Sequence, residues 1–172
     1  MMRSAFTIAA LAAASGATAL TPASAAERYE TSAGAVMVEE IAAGLEHPWG
    51  LAFLPDGALL VTERPGRLVL IRNGVKTSVA GAPEVWARGQ GGMLDVVVSP
   101  DFAETGQIYL TYSEAAEGGA RTAAMRARLA LAPTPRLEEQ EVIFRQTPVV
   151  RGGRHFGSRI VIAEDGTLWI TT

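Results

Sequence analysis

The chain has 172 residues with 15 basic and 18 acidic side chains, which gives a formal net charge of −3 at pH 7. This balance argues against nucleic acid or an anionic membrane as the partner, because both bind clustered lysine and arginine, and Lys76 is the only lysine. The absence of cysteine excludes a small exported module stabilised by disulfide bonds.

The first 25 residues have the three-part layout of a secretory signal peptide. Arg3 supplies a basic start, an apolar stretch covers 6–14, and Ala23-Ser24-Ala25 places small residues before a cleavage site after Ala25. The apolar stretch is too short to cross about 30 Å of hydrocarbon. The pattern therefore predicts a periplasmic or secreted protein of residues 26–172, with no membrane span after signal cleavage.

Short apolar segments separated by turn residues follow the signal peptide and predict an all-β fold. The predicted strands are Val36–Ile41, Gly50–Leu54, Leu59–Glu63, Leu68–Arg72, Met93–Val98, Ile108–Tyr112, Ala124–Leu131, Glu141–Phe144, Arg159–Ile162 and Leu168–Thr171. Asp-Gly and Asn-Gly pairs predict tight turns at 55–57, 72–74 and 164–166, because these residues tolerate positive φ. Helix is expected in one turn at most, near Glu114–Glu117.

One unit occurs in three copies, each with an apolar strand, a turn near an aspartate, and a second apolar strand that ends in threonine. The turn aspartates Asp56, Asp101 and Asp165 lie 45 and 64 residues apart. This spacing is close to the length of a propeller blade, with one copy lengthened by an insertion, which we predict to be a solvated loop at Ser113–Ala120. A β-sandwich whose hairpins are similar by chance is the alternative fold.

The sequence stops at Thr172, inside a predicted strand with no turn after it. A propeller needs at least four blades to close, and the predicted strands amount to roughly two and a half. The chain is therefore expected to be the N-terminal part of a longer protein and to be inactive by itself.

Three glycines surround Gln90 in the segment 88–93. Glycine lets backbone approach a ligand closely, and the Gln90 amide can both donate and accept hydrogen bonds. The spacing is not that of a dinucleotide-binding loop, and a strand rather than a helix follows. The segment fits either a binding loop or a tight connection between blades.

His155 lies between glycines and arginines at the entrance to a predicted strand. A neutral imidazole there can act as a general base, and a hydrogen-bonded structural histidine is the alternative. The other histidine, His47, precedes a proline, which predicts an extended conformation and a structural role beside Trp49. No second histidine stands at metal-ligand spacing, so no histidine-based metal site is predicted.

Four ordered motifs together resemble the glucose/sorbosone dehydrogenase family, and within it the soluble aldose sugar dehydrogenases that use pyrroloquinoline quinone (PQQ). They are HPWGLAFLPDG at 47–57, VTERPGRL at 61–68, RGQGGMLDVVVSPDF at 88–102 and HFGSR at 155–159. The resemblance runs from near Val38 to Thr172.

The resemblance implies a six-bladed β-propeller that holds PQQ and Ca²⁺ at the mouth of its central channel and oxidises aldose sugars to lactones. It makes His155 the base that takes the proton of the anomeric hydroxyl while hydride passes to PQQ. It also implies cofactor-binding roles for Gln90 and Arg159. The Ca²⁺ ligands are expected beyond Thr172, so no metal ligand is assigned. An aldose and a periplasmic electron acceptor are the implied partners.

Arg154 stands where the best-studied branch of the family has an acidic residue, which leaves the sugar open. The alternative function is a non-enzymatic propeller that binds ligands or mediates adhesion, although such a protein has no reason to place Gln90 and His155 in glycine-rich loops. A lactone-hydrolysing propeller would need several carboxylate and asparagine ligands, and Asn73 is the only asparagine.

Overall fold

The computed structural model describes residues 26–172, so the predicted signal peptide lies outside the described residues. Of these, residues 26–39 belong to one compact unit and 40–172 form a second. The first is an exposed antiparallel hairpin of β1 (Glu27–Thr31) and β2 (Gly34–Val38). The predicted strand Val36–Ile41 overlaps β2 but extends beyond it. Strand β1 was not predicted from the sequence, because its charged residues do not form an apolar segment.

The second unit contains two four-stranded antiparallel sheets, a two-stranded hairpin and one short helix. Sheet 1 consists of β3 (Pro48–Phe53), β4 (Leu59–Glu63), β5 (Arg67–Arg72) and β6 (Val75–Val79). Sheet 2 consists of β7 (Met93–Val98), β8 (Gln107–Ala116), β9 (Gly119–Ala130) and β10 (Arg136–Arg145), with helix α1 (Phe102–Thr105) between β7 and β8. The third hairpin consists of β11 (Ile160–Ile162) and β12 (Leu168–Ile170). Consecutive strands pair within each sheet, as in the blades of a propeller, and the all-β prediction is confirmed.

The three predicted tight turns are confirmed. Asp56 and Asp165 stabilise two of them through their side chains, which accept hydrogen bonds from the backbone N–H two residues on, at 3.1 and 2.9 Å. Asn73 in the remaining turn has a φ of 51°. Each turn joins two paired strands, so these residues set the hairpin positions locally.

The predicted loop at Ser113–Ala120 is wrong, because β8 and β9 remain paired through this segment up to a turn at 117–118. Ser113 and Ala120 are fully buried there. The extra length of this copy lies in the strands themselves: β8, β9 and β10 have 10, 12 and 10 residues, whereas β4, β5 and β6 have 5, 6 and 5.

The helical turn predicted near Glu114–Glu117 is also wrong, because Glu114 lies in β8 and the only helix of the described residues is α1. The Glu114 carboxylate joins neighbouring strands by binding Arg145 at 2.8 Å and Arg121 at 2.7 Å. The hydrogen bond from Arg145 and then that from Arg121 hold the pKa of Glu114 below its usual value, against the effect of partial burial. These ion pairs favour the strand over a helix at this position.

The largest apolar core lies between sheet 1 and sheet 2. Leu60 and Leu68 of sheet 1 and Met93, Ile108 and Leu110 of sheet 2 are fully buried members of this core. The side chains alternate along their strands, so each sheet buries one apolar face against the other. Burial of this kind is the main force that holds successive sheets together.

A threonine at the end of the repeated unit links sheet 1 to sheet 2. Thr62 of β4 is fully buried, and its Oγ1 accepts a hydrogen bond from the Gly50 N–H at 2.8 Å. The same hydroxyl donates to the Leu94 carbonyl of β7 at 2.5 Å. A Cβ at Gly50 would lie 2.7 Å from that carbonyl, so glycine is required for this close approach.

The second copy repeats the arrangement between sheet 2 and the third hairpin. Thr111 of β8 is fully buried, accepts from the Asp95 N–H at 2.9 Å and donates to the Ser158 carbonyl at 2.7 Å. In the third copy Thr171 accepts from the Arg159 N–H at 2.9 Å. The threonine at the end of the repeated unit thus links neighbouring sheets in the first two copies, and we call each of these links a joint.

The outer faces of this three-sheet unit are only partly covered within residues 40–172. On sheet 1, Val61, Val69 and Ile71 form a small buried cluster against Ala42 and Leu45. Leu51 of β3 is 52% exposed, whereas Val96, its counterpart in β7, is 2% exposed. Trp169 of β12 is 67% exposed, whereas its counterpart Leu60 is fully buried by sheet 2. Within the described part of the chain, no helix has the length and hydropathy that a membrane crossing needs.

Candidate active site

Two connections between sheets carry the predicted site residues. Gln90 lies between β6 and β7, and His155 lies between β10 and β11. Although 65 positions separate them, the His155 N–H donates to the Gln90 side-chain oxygen at 2.8 Å. The Gln90 N–H in turn donates to the Gly153 carbonyl at 2.9 Å. The structure therefore brings Gln90 and His155 together.

The glycines of these connections allow the two loops to touch. A Cβ at Gly89 would lie 2.5 Å from the Gly153 carbonyl oxygen, and a Cβ at Gly153 would lie 2.5 Å from the Trp86 ring. The glycine at 92 similarly faces the Arg64 backbone, where a Cβ would approach to 2.2 Å. The glycines around Gln90 thus admit the protein's own backbone, as the tight connection between blades, one of the two alternatives left open by the sequence, requires.

An open cleft of about 350 Å³ lies beside the joined loops. It is lined by Trp49, Arg64, Gln90, Leu94, His155, Phe156 and Gly157. The lining combines two aromatic side chains, one arginine, one amide and one imidazole, and it contains no carboxylate. This composition suits an anionic or polar ligand with a flat ring system.

Arg64 positions the Gln90 loop, a role that the sequence interpretation missed. Its Nη2 donates to the Gly89 carbonyl at 2.5 Å and to the Gly91 carbonyl at 3.1 Å, and its Nε donates to Gly91 at 3.2 Å. These bonds fix the backbone on both sides of Gln90. The only signal in the sequence is the place of Arg64 in the second ordered motif.

His155 presents its side chain to the cleft from a strained backbone. It is exposed and has a φ of 60°, in the left-handed region that residues with a Cβ rarely adopt. Its imidazole makes no hydrogen bond with any residue of 26–172, so both ring nitrogens are available to a ligand in this part of the chain. This placement suits a proton acceptor.

Three further side chains of sheet 2 hold the loop that follows His155. Thr122 of β9 donates to the Phe156 carbonyl at 2.6 Å, and Asp95 accepts the Ile160 N–H at 3.0 Å. Thr111 is the third, because its hydroxyl donates to the Ser158 carbonyl of the loop. Phe156 also packs its ring against Trp86 with centroids 6.0 Å apart. The whole loop is therefore fixed on sheet 2.

Arg159 lies at the edge of the cleft, next to Trp49. Its Nη1 donates to the Asp95 carboxylate at 2.8 Å, and its guanidinium lies 4.3 Å from the centre of the Trp49 ring. Asp95 is buried, whereas Arg159 is more than half exposed. The cation is thus paired with a carboxylate of sheet 2, and its predicted cofactor-binding role remains a prediction.

The predicted extended conformation of His47 is wrong. Its φ is 50°, it is exposed, and its carbonyl accepts the Arg64 N–H at 3.1 Å. The hydrogen bond to the adjacent strand end outweighs the restriction that Pro48 imposes on the preceding residue. Among residues 26–172, no group of three or more acidic or histidine side chains is placed to hold a metal ion.

Comparison with known proteins identifies the family. Residues 45–172 match the model of the family described as Glucose / Sorbosone dehydrogenase. The chain belongs to this family. The resemblance inferred from the four ordered motifs is therefore confirmed.

Individual relatives agree with this assignment. The chain is 43% identical over 139 residues to the aldose sugar dehydrogenase YliI of Escherichia coli, which covers 78% of this chain and 37% of that protein. A crystal structure of a glucose dehydrogenase is similar with a TM-score of 0.70 and 48% identity, over 74% of this chain and 38% of that one. The PQQ-bound aldose sugar dehydrogenase from Streptomyces coelicolor is similar with a TM-score of 0.67 and 31% identity, over 76% of this chain and 39% of that one.

The likeness to these structures confirms the β-propeller architecture that the repeated unit predicted. Sheets 1 and 2 are two blades, and the third hairpin repeats the first two strands of a blade. The chain spans between about a third and two fifths of the length of the relatives it matches.

Proposed function

We propose that the protein that contains this chain is a PQQ-dependent quinoprotein that oxidises aldose sugars at the anomeric carbon to lactones. Family membership supports a sugar dehydrogenase, and the PQQ-bound relative supports the cofactor. The observation that carries the proposal is the pairing of Gln90 with His155 beside the cleft. The alternative of a non-enzymatic binding propeller has no such support.

The residues of the cleft fit PQQ, a flat molecule with several carboxylates. Trp49 and Phe156 supply aromatic surface, Arg64 supplies a positive charge, and Gln90 supplies an amide. When bound, PQQ provides an electrophilic quinone that accepts hydride. The described residues do not form a Ca²⁺ site, so the Ca²⁺ that we propose to accompany PQQ needs ligands from outside them.

His155 acts as the base in this proposal. Its imidazole accepts the proton of the sugar's anomeric hydroxyl while the hydrogen of the anomeric C–H leaves as hydride, so that the carbon becomes the carbonyl of the lactone. An imidazole without an internal hydrogen bond can take up this proton directly. Gln90 keeps His155 at the edge of the cleft through the backbone.

We further propose that the protein works in the periplasm or outside the cell and passes its electrons to an acceptor there. The layout of residues 1–25 supports export. An exported enzyme without cysteine depends on burial and hydrogen bonds for its stability, as the threonine joints and the core between the sheets illustrate.

The test uses the complete reading frame that contains this chain, expressed without residues 1–25 and reconstituted with PQQ and Ca²⁺. We expect an aldose to drive reduction of an artificial dye, and we expect no reduction without PQQ. Binding of PQQ is measured separately by the change in its absorption. If PQQ binds and no member of a panel of aldoses reduces the dye, the proposed function is wrong and the binding-propeller alternative gains support.

A further inference from the structure

Side chains of sheet 2 and of the Gln90 connection bond to the backbone of the His155 loop. Gln90 accepts the His155 N–H, Asp95 accepts the Ile160 N–H at the start of β11, and Thr111 and Thr122 each donate to one of the loop carbonyls. Both threonines are fully buried. The loop is therefore held in place by the adjacent blade, while it makes few bonds of its own.

The direction of the His155 imidazole depends on this support. The imidazole makes no hydrogen bond with residues 26–172, so no neighbouring side chain in this part of the chain fixes its orientation. Its φ of 60° is unfavourable for a residue with a Cβ and persists only where the surroundings enforce it. The bonds on either side of His155 are the Gln90 contact at its N–H and the Thr122 contact at the next carbonyl.

We propose that Thr122 is a positioning residue for His155. Its hydroxyl, at 2.6 Å from the Phe156 carbonyl, holds the peptide between Phe156 and Gly157, one residue beyond His155, and so limits the direction in which the imidazole leaves the backbone. The Ser158 hydroxyl donates to the same carbonyl at 2.8 Å, but it belongs to the loop itself and moves with it. Thr122 alone ties this carbonyl to the rigid sheet.

This inference rests on the proposed role of His155 as the base. A displacement of about 1 Å in a group that takes part in chemistry can cost a factor of 10² in rate. Thr122 lies in β9 and is not part of the cleft lining. Its loss should therefore lower the rate of the chemical step and leave ligand affinity nearly unchanged.

The test compares three variants of the complete, PQQ-loaded protein. Thr122→Val keeps the shape and removes the donor, and Thr122→Ser keeps the donor. Ile108→Val reduces packing in the same sheet away from the loop, as a control for lost stability. We expect kcat to fall about 10- to 100-fold in Thr122→Val, with KM and the PQQ dissociation constant within about threefold of the parent. Thr122→Ser and Ile108→Val should retain at least a third of the parental kcat.

Hydrogen exchange of the segment 150–160, measured without sugar, gives a second readout that does not depend on turnover. We expect faster exchange in Thr122→Val than in the parent, Thr122→Ser and Ile108→Val. A parent that binds PQQ but oxidises no aldose contradicts the proposed function, and the exchange rates then decide the positioning role. Parental kcat or parental exchange in Thr122→Val, or equal losses in Thr122→Val and Ile108→Val, overturns the inference.

Discussion

The two joints between successive sheets use threonines at equivalent positions, Thr62 and Thr111, but differ in the residue whose N–H is bonded to the threonine. Between sheets 1 and 2 the position bonded to the threonine is Gly50, and the strands approach until a Cβ would not fit. Between sheet 2 and the third hairpin the matching position is Asp95, whose carboxylate binds Arg159 and the Ile160 N–H. The first joint rests mainly on the large apolar core, whereas the second has a small apolar cluster and adds polar bonds from Asp95, so the first is called the apolar joint and the second the polar joint.

The polar joint is the one that carries the candidate base. An apolar joint stabilises two sheets without defining the direction of any one side chain, because burial is not directional. Hydrogen bonds are directional, so the bonds of the second joint can hold His155 and its loop in one conformation. With His155 as the proposed base, the first joint serves stability, whereas the second serves both stability and function.

The largest effect, on kcat, is expected for substitution of His155 in the loop that the polar joint holds. His155→Gln in the complete, PQQ-loaded protein should lower kcat by about 10²–10⁴, because a general base contributes about that factor. The exposed position of His155 implies that folding is retained, and we expect PQQ to remain bound because Trp49, Arg64 and Phe156 of the cleft are unchanged. Dye-reduction kinetics and PQQ titration measure both quantities. Turnover close to that of the parent would show that His155 is structural and that the polar joint has no catalytic purpose.

The next effect concerns the carboxylate that distinguishes the two joints. Asp95→Ala removes the acceptor of a buried N–H and of Arg159, so we expect the free energy of unfolding to fall by about 2–3 kcal/mol. Glu141→Ala is the control, because its exposed carboxylate binds Arg126 at the surface and should contribute less than about 1 kcal/mol. Denaturant titration of both variants measures the difference, and equal losses would mean that the second joint gains nothing from Asp95.

A smaller effect is expected at the apolar joint. Thr62→Val leaves the buried Gly50 N–H and Leu94 carbonyl without their partner, at a cost of about 1–2 kcal/mol, and Thr62→Ser should restore most of it. Hydrogen exchange of the segment 150–160 should not change, because Thr62 makes no hydrogen bond to this segment and bonds to sheet 2 at Leu94 of β7. Faster exchange there would show that the two joints are coupled.

The smallest effect depends on pH and concerns Glu63, next to Thr62 in β4. Burial would raise the pKa of Glu63, but the hydrogen bonds from the Arg67 guanidinium and the Glu46 N–H hold the pKa below its usual value. A lowered pKa in the folded state stabilises the protein above the unfolded-state pKa of about 4.3, and this stabilisation is lost as the pH falls through the folded-state value.

Glu63→Gln should therefore reduce the free energy of unfolding at pH 7 by about 0.5–1 kcal/mol. The gap between variant and parent should narrow as the pH falls below about 4, because the parental carboxylate is then protonated as well. Urea titrations at several pH values measure this gap. A gap that stays constant with pH would indicate that Glu63 acts through its shape and not through its charge.

The sequence by itself determined the features that depend on neighbouring residues. Short apolar segments between turn residues gave the strands Leu59–Glu63 and Met93–Val98 with their observed bounds, and Asp56 and Asp165 marked hairpin turns, because strand pattern and turn chemistry are local. The recurrence of the strand–turn–strand unit indicated a propeller for the same reason. The ordered motifs identified the family and singled out His155.

Only the tertiary structure decided how distant segments meet. It brought Gln90 to the backbone of His155, gave Thr111 and Thr122 their role in holding the loop, and extended β8 through a segment that reads as a solvated loop. Such contacts join residues 34 to 65 positions apart. No local pattern specifies them, because they depend on how one sheet packs against the next.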